Sequence, residues 1–179
     1  MACLKKLSGD ITFGCTDFTL TGGMGEIDEA IIINSSDISA ISEALGEGTI
    51  TMITGKRGFL VDAVNNSVTY QDAIKTNDTA PAAEDQSVVI KILRQGGPNG
   101  YRLTVNQLLG GNFRVALKTK LGNYYLAGAF CGLEASDLAT DSSTGGFSTV
   151  TLKTPEASTG DMLVTLTKAA YDGLKIPKV

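Results

Sequence analysis

Short runs of alternating apolar and polar residues, separated by glycine-rich turns, make up most of the chain. In Phe113–Lys118 every second residue is apolar, which places the apolar side chains on one face of a strand. Gly122-Asn123 is a turn signal between this run and the β-forming segment Tyr124–Phe130. The two segments therefore predict a β-hairpin.

The same pattern predicts further strands, each paired with a neighbour in the chain. These are Thr49–Thr54 with Phe59–Val64 and then Ser67–Ile74, Ser87–Arg94 with Tyr101–Asn106, and Phe147–Thr154 with Asp161–Lys168. Ser87–Arg94 carries apolar residues on both faces, so we expect both faces of that strand to be buried. Many short strands with frequent turns are typical of an all-β sandwich or barrel.

Helix is predicted at one place. Asp37 is a good cap for Ile38–Leu45, where apolar residues recur at spacings of three and four, and Gly46 follows in the position that tolerates positive φ. A further helical turn is possible at Ala169–Leu174, although Gly173 and Pro177 limit it. The prediction is a single all-β domain over residues 1–179, with one short flanking α-helix.

Two segments fit no predicted element. The first is an extended amino-terminal segment at about 1–25, and the second is a long loop at about 75–86 with little apolar content. A loop of that length usually has a role, and a neighbouring subunit is a natural target for it. We therefore interpret its residues as an inter-subunit arm: Thr76, Asn77, Asp78, Thr79, Pro81, Glu84 and Asp85.

The amino-acid composition argues against nucleic acids and membranes as binding partners. Charged residues make up 19% of the chain, and the net charge is −4 with a pI near 4.8. An acidic protein is a poor nucleic-acid binder, because affinity for DNA comes mainly from lysine and arginine on phosphates. No apolar run reaches the roughly 18 residues of a membrane span. Met1–Ser8 lacks the apolar core of a secretory signal, so we expect synthesis and folding in a cytoplasm.

Residues for catalysis are scarce. The chain has no histidine, which removes the commonest general base and the commonest zinc ligand. Carboxylate pairs such as Glu84-Asp85 lack the spacing of a calcium loop, and Gly22–Gly25 lacks the context of a phosphate-binding loop. We predict no catalytic, cofactor-binding or metal-binding residue. The three cysteines are expected to be reduced thiols, with Cys131 in the core.

A β-rich protein with few charges and long arms is suited to self-assembly. Strands with threonine-rich, weakly charged faces leave edges that a second copy can extend through main-chain hydrogen bonds. Rotationally closed contacts give rings, and rings can stack into a tube.

Three stretches and the amino terminus resemble a known family. They are Phe113–Ser136, Asp141–Gly146, Thr149–Ala157 and the opening Met1–Gly9. The chain resembles tail-tube-like virion structural proteins of tailed bacteriophages that infect Bacteroidota. The resemblance implies a β-sandwich or barrel with a flanking helix, hexameric rings, and a lumen through which DNA passes without specific binding. It also implies other tail or head proteins of the virion as partners, and it carries over no catalytic residue.

Other functions remain open at this point. A capsid decoration protein or a head-to-tail connector ring protein would share the composition but would form trimers or rings that do not stack. A surface adhesin would require export. An enzyme or small-molecule-binding domain would have a closed pocket with convergent polar groups and would stay monomeric.

Overall fold

A computed structural model gives the fold of residues 25–44, 47–63, 67–77, 80–92, 107–141, 147–156 and 161–176. Within these ranges the chain forms eleven strands in one mixed sheet and one short α-helix. The prediction of an all-β fold with a single short helix is therefore confirmed.

Eleven strands and one helix follow one another along the described part of the chain. They are β1 (Ile27–Asn34), β2 (Ile38–Ala44), β3 (Glu47–Met52), β4 (Phe59–Asp62), β5 (Val68–Asn77), β6 (Ala80–Ile92), β7 (Asn112–Thr119), β8 (Tyr124–Ala127), β9 (Leu133–Asp141), β10 (Phe147–Lys153), β11 (Val164–Leu166) and α1 (Lys168–Gly173). A 3-10 turn, Ser35–Asp37, joins β1 to β2.

The sheet runs in the order β2-β3-β11-β8-β7-β9-β10-β6-β5. Strand β1 lies outside this path, paired with β7 along one edge and with β4 along the other. Only the β3–β11 pairing is parallel among the described strands; the rest are antiparallel. The predicted hairpin of β7 and β8 is confirmed, and Gly122 supplies the positive φ that its turn requires.

Two hydrophobic cores lie on opposite faces of the β1–β7 pair. Alternate side chains of β1 serve each core: Ala30 and Ile32 enter the first, and Ile31 and Ile33 enter the second. The first core also takes side chains from β5, β6, β9 and β10, whereas the second is completed by β3, β8, β11 and the α1 region. The part of β1 that is covered on both faces, Ala30–Ile33, is continuously apolar, as expected of a strand inside a layered fold.

The helix is at the carboxyl-terminal position and not at Ile38–Leu45. Thr167 caps α1 by accepting a hydrogen bond from the Ala170 N–H, and Tyr171 of the helix is fully buried in the second core. The predicted helix is instead strand β2. A β-bulge between Ile38 and Ala40 puts Ile38 and Ile41 on one face three residues apart, which imitates helical spacing.

Several strands are correctly predicted but have other partners than expected. The segment at Thr49–Met52 pairs with β2, and β4 pairs with β1, so these two segments do not form a hairpin. Strand β10 pairs with β6 and β9, and strand β11 pairs with β3 and β8. The two strands do not pair with each other. The sequence shows which residues alternate, but it does not show which distant strand covers them.

Two other expectations, the burial of Cys131 and the burial of both faces of β6, are not met in full. Cys131 is partly exposed and not in the core, because it lies in the turn between β8 and β9. Strand β6 has Val88 and Ile90 fully buried on one face, while Val89 on the other face is only partly covered. The amino-terminal segment through residue 24, with Cys3 and Cys15, and the segment Tyr101–Asn106 lie outside the described residues.

Candidate assembly surface

The residues predicted as a loop at about 75–86 form the outer half of a long hairpin. Thr76 and Asn77 belong to β5, whereas Pro81, Glu84 and Asp85 belong to β6. Asp78 and Thr79 lie outside the described residues. The register shifts between Lys75 and Asn77, so the stretch of β6 that contains Pro81 lies at a bulge. A bulge tolerates proline, which has no N–H to donate to the ladder.

One face of this hairpin changes from buried to exposed along its length. Residues paired across antiparallel strands share a face. Four such pairs occupy this face, from the base outwards: Val68–Ile90, Tyr70–Val88, Asp72–Gln86 and Ile74–Glu84. The inner pairs lie in or against the first core, whereas Asp72, Ile74 and Glu84 are exposed. Ile74 is 74% exposed, the largest value among the large apolar side chains described.

Gln86 anchors the hairpin at the point where it leaves the core. Its side-chain Oε1 accepts the Gly128 N–H at 2.8 Å, and its backbone carbonyl accepts the Thr154 N–H at 3.0 Å. The Thr154 hydroxyl in turn accepts the Gln86 N–H at 3.0 Å. All of Gln86 is buried, and its Nε2 has no acceptor among the described residues. Gln86 thus joins β6 both to the β8–β9 turn and to the end of β10.

Tyr70 and Asp85 lie at the same junction. Burial raises the pKa of the Tyr70 hydroxyl, and the charge of nearby Asp72 adds to the rise, so the phenol stays neutral. Asp85 forms an ion pair with Lys153 of β10, with 2.9 Å between Oδ2 and Nζ. Of the predicted arm carboxylates, Asp85 is therefore engaged within the chain, while Glu84 has no lysine or arginine partner among the described residues.

The sheet has open edges at both ends of its path. Among the described residues, β5 pairs with β6 alone and β2 pairs with β3 alone, so each strand leaves one row of backbone groups without a partner strand. Strand β4 is a third edge, and its Phe59 and Leu60 are both about half exposed. Open edges with apolar side chains are where a further strand or a second copy can add.

Glu84 and Asp85 are predicted as surface residues from the sequence, whereas Ile74, Gln86 and the outer part of the hairpin are not. Their signal was present in the alternation of Val68, Tyr70, Asp72 and Ile74, which continues past the point where the apolar residues stop being buried. Among the described residues, no group of three or more Cys, Asp or Glu side chains is placed to hold a metal ion. In the same part of the chain, no helix has the length and hydropathy to cross a membrane.

Comparison with known proteins adds no relative: no family model, no curated protein and no solved structure matches the chain.

Proposed function

We propose that the chain is a non-catalytic structural subunit of a phage virion, and that it assembles with copies of itself into the stacked rings of a tail tube. The observation that carries the proposal is the β5–β6 hairpin, whose face runs out of the core and exposes Ile74 between two carboxylates. A single copy has no described element that covers this face. A neighbouring subunit would supply the cover.

The open edges support the same proposal. In a ring, an edge strand of one subunit can pair with an edge strand of the next, so that the backbone groups of β2 and β5 are satisfied between copies. The net charge of −4 suits a lumen that passes DNA, since acidic walls give phosphate nothing to bind. The sequence resemblance to tail-tube-like proteins agrees with both features.

Electron microscopy of the purified protein tests the assembly directly. Negative-stain images should show tubes or stacked rings, with a sedimentation profile that shifts to large species as concentration rises. Isolated rings that never stack, or trimers, would favour a connector ring or capsid decoration protein instead. A single-copy species at every concentration would contradict self-assembly altogether.

Shortening the hairpin tests the part that the proposal assigns to it. Ala73 and Asp85 are cross-strand partners, so replacing Ile74–Glu84 with Asn-Gly closes the hairpin with a two-residue turn, removes the exposed Ile74 and Glu84, and leaves the inner half intact. We expect a folded protein with an unchanged circular dichroism spectrum that no longer forms tubes. Tubes at normal yield would show that the outer hairpin is not needed for assembly.

A further inference from the structure

A polar pocket lies at the rim of the second core, where the start of β7 meets β2 and the β8–β9 turn. Its volume is about 280 Å³, and its lining includes Arg114, Ile38, Ile41, Ala129 and Phe130. Phe130 is 51% exposed at its mouth. Alternation along β7 explains the position, because Phe113 and Val115 point into the first core and Arg114 points away from it.

The Arg114 guanidinium is held by neutral acceptors. Nη1 donates to the Ser35 hydroxyl and, at 2.8 Å, to Asn112 Oδ1, while Nη2 donates to the Phe130 carbonyl at 3.2 Å and Nε to the Ala129 carbonyl at 3.5 Å. Arginine has five N–H donors, so one Nη2 hydrogen has no acceptor among the described residues. No described carboxylate oxygen lies within ion-pair distance of this side chain.

The pocket is rigidly built around this cation. Ser35 donates to the Asn112 carbonyl at 2.7 Å, and Asn112 Nδ2 donates to the Cys131 carbonyl at 3.3 Å. Gly132 has φ +74°, and a Cβ there would lie 2.0 Å from Asn112 Oδ1, so only glycine leaves room for the amide. These contacts fix the orientation of the side chain that holds Arg114.

The Asp161 carboxylate acts on Arg114 electrostatically but forms no ion pair with it. The buried Asp161 carboxylate accepts the N–H groups of Phe130, Cys131 and Met162, at 2.8–3.1 Å. Its oxygens are thus occupied in fixing the β8–β9 turn. Burial lowers the pKa of Arg114, and the Asp161 charge opposes that effect from a distance. A half-buried arginine that has no ion-pair partner among the described residues can bind a carboxylate through paired hydrogen bonds.

We propose that the Arg114 pocket of one copy binds the Glu84 carboxylate of a second copy, with Ile74 packing against Phe130. The inference rests on the proposed self-assembly and names the residues of one contact. On the hairpin, the exposed Ile74 lies opposite Glu84, which has no ion-pair partner among the described side chains. At the pocket, the exposed Phe130 lies beside Arg114, for which the described residues also supply no ion-pair partner. The two surfaces differ, so the contact is head-to-tail, and that kind of contact generates rings or filaments.

A double-mutant cycle on assembly tests the pair. Sedimentation velocity over a concentration series gives the midpoint of assembly for wild type, Arg114→Gln, Glu84→Gln and the double variant. Each single change should raise the midpoint about tenfold or more, since a charge-assisted pair is lost. In the Arg114→Gln background, Glu84→Gln should have little further effect, because its partner is already gone. Independent, additive effects would overturn the pairing.

Matched controls remove the same charges elsewhere. Arg57→Gln changes an exposed residue between β3 and β4, and Asp137→Asn changes an exposed residue on the sheet face opposite Ile74; both should leave the midpoint within about twofold of wild type. Glu84 is exposed, so its variant keeps the fold even if Arg114→Gln is destabilised. If Glu84→Gln has no effect, or if Asp72→Asn alone reproduces the loss, the assignment to Glu84 is wrong.

A second measurement separates this proposal from the proposed function. If wild type stays a single copy at every concentration, self-assembly fails and the second-copy occupant fails with it. Glutarate titrated into the same protein, followed by the Arg114 Nε–H NMR signal with Arg57 as internal reference, then tests the pocket by itself. A saturable shift confined to Arg114 would support a carboxylate site for a different source, and equal shifts at both arginines would overturn the site.

Discussion

The β1–β7 pair and the β5–β6 hairpin are both antiparallel, yet the first buries its apolar residues and the second exposes some of them to solvent. Strand β1 sends alternate side chains into two cores, so Ile31 and Ile32 are both buried. The hairpin buries Ile90 at its base and exposes Ile74 further out on the same face. The first arrangement buries the apolar side chains of a strand on both of its faces, and the second leaves an apolar side chain that no described element covers.

The largest expected difference is between Ile90→Ala and Ile74→Ala. Ile90 is 1% exposed, so its truncation should lower the free energy of unfolding by about 2–5 kcal/mol through lost burial and a cavity. Ile74→Ala should change that free energy by no more than about 0.5 kcal/mol. Urea unfolding at concentrations where the protein is a single copy measures both. Equal losses would mean that the outer hairpin packs within its own chain.

A smaller effect is expected where the hairpin leaves the core. Gln86→Ala removes the acceptor of the Gly128 N–H and should cost about 1–3 kcal/mol of unfolding free energy. Gln71→Ala is the matched control, since Gln71 is exposed on β5, and it should stay within about 0.5 kcal/mol of wild type. Thermal denaturation of the two variants measures this difference in stability. Similar melting temperatures would indicate that the junction contributes little.

The smallest effect concerns the turn between β1 and β2. A hydrogen bond from Asn34, together with Lys56, holds the pKa of Asp37 below its ordinary 3.8. A lowered folded-state pKa means that the ionised carboxylate stabilises the fold above the unfolded pKa, and that this contribution is lost as pH falls through the folded pKa. Asp37→Asn should therefore cost at most about 1 kcal/mol at pH 7. At the acid end the wild type and the variant should converge, and a constant difference across the pH range would contradict this.

The strands were predictable where alternation and turn residues agree. The β7–β8 hairpin has both signals, an alternating run and Gly122-Asn123, and it forms as expected. Strand β2 was not predictable, because its bulge gives Ile38 and Ile41 the spacing of a helix face. Strand β4 pairs with β1, and this pairing of two strands that are distant in the sequence cannot be predicted from a local pattern.

The candidate surface was predictable only in part. The polar composition around Pro81 suggested a segment that reaches beyond the monomer, and Glu84 was identified with it. The pattern did not show that this segment continues two paired strands, because proline and bulged residues are typical of loops. The alternation in Phe113–Lys118 puts Arg114 on the face away from Phe113, but it does not show the neutral acceptors, which come from residues as distant as Ser35.

Strand β11 has a kinetic consequence. It is inserted between β3 and β8, so the edge of β3 that faces away from β2 is paired at Glu47 and Gly48 only when Thr165 and Leu166 have docked. Contacts between residues that far apart in the chain slow folding, since the intervening chain must be ordered first. We expect a nascent chain to keep its β2–β3 segment unfinished until β11 docks. Until then the unpaired edge of β3 is open to association with other chains, and refolding should be slower than for a protein built from local hairpins.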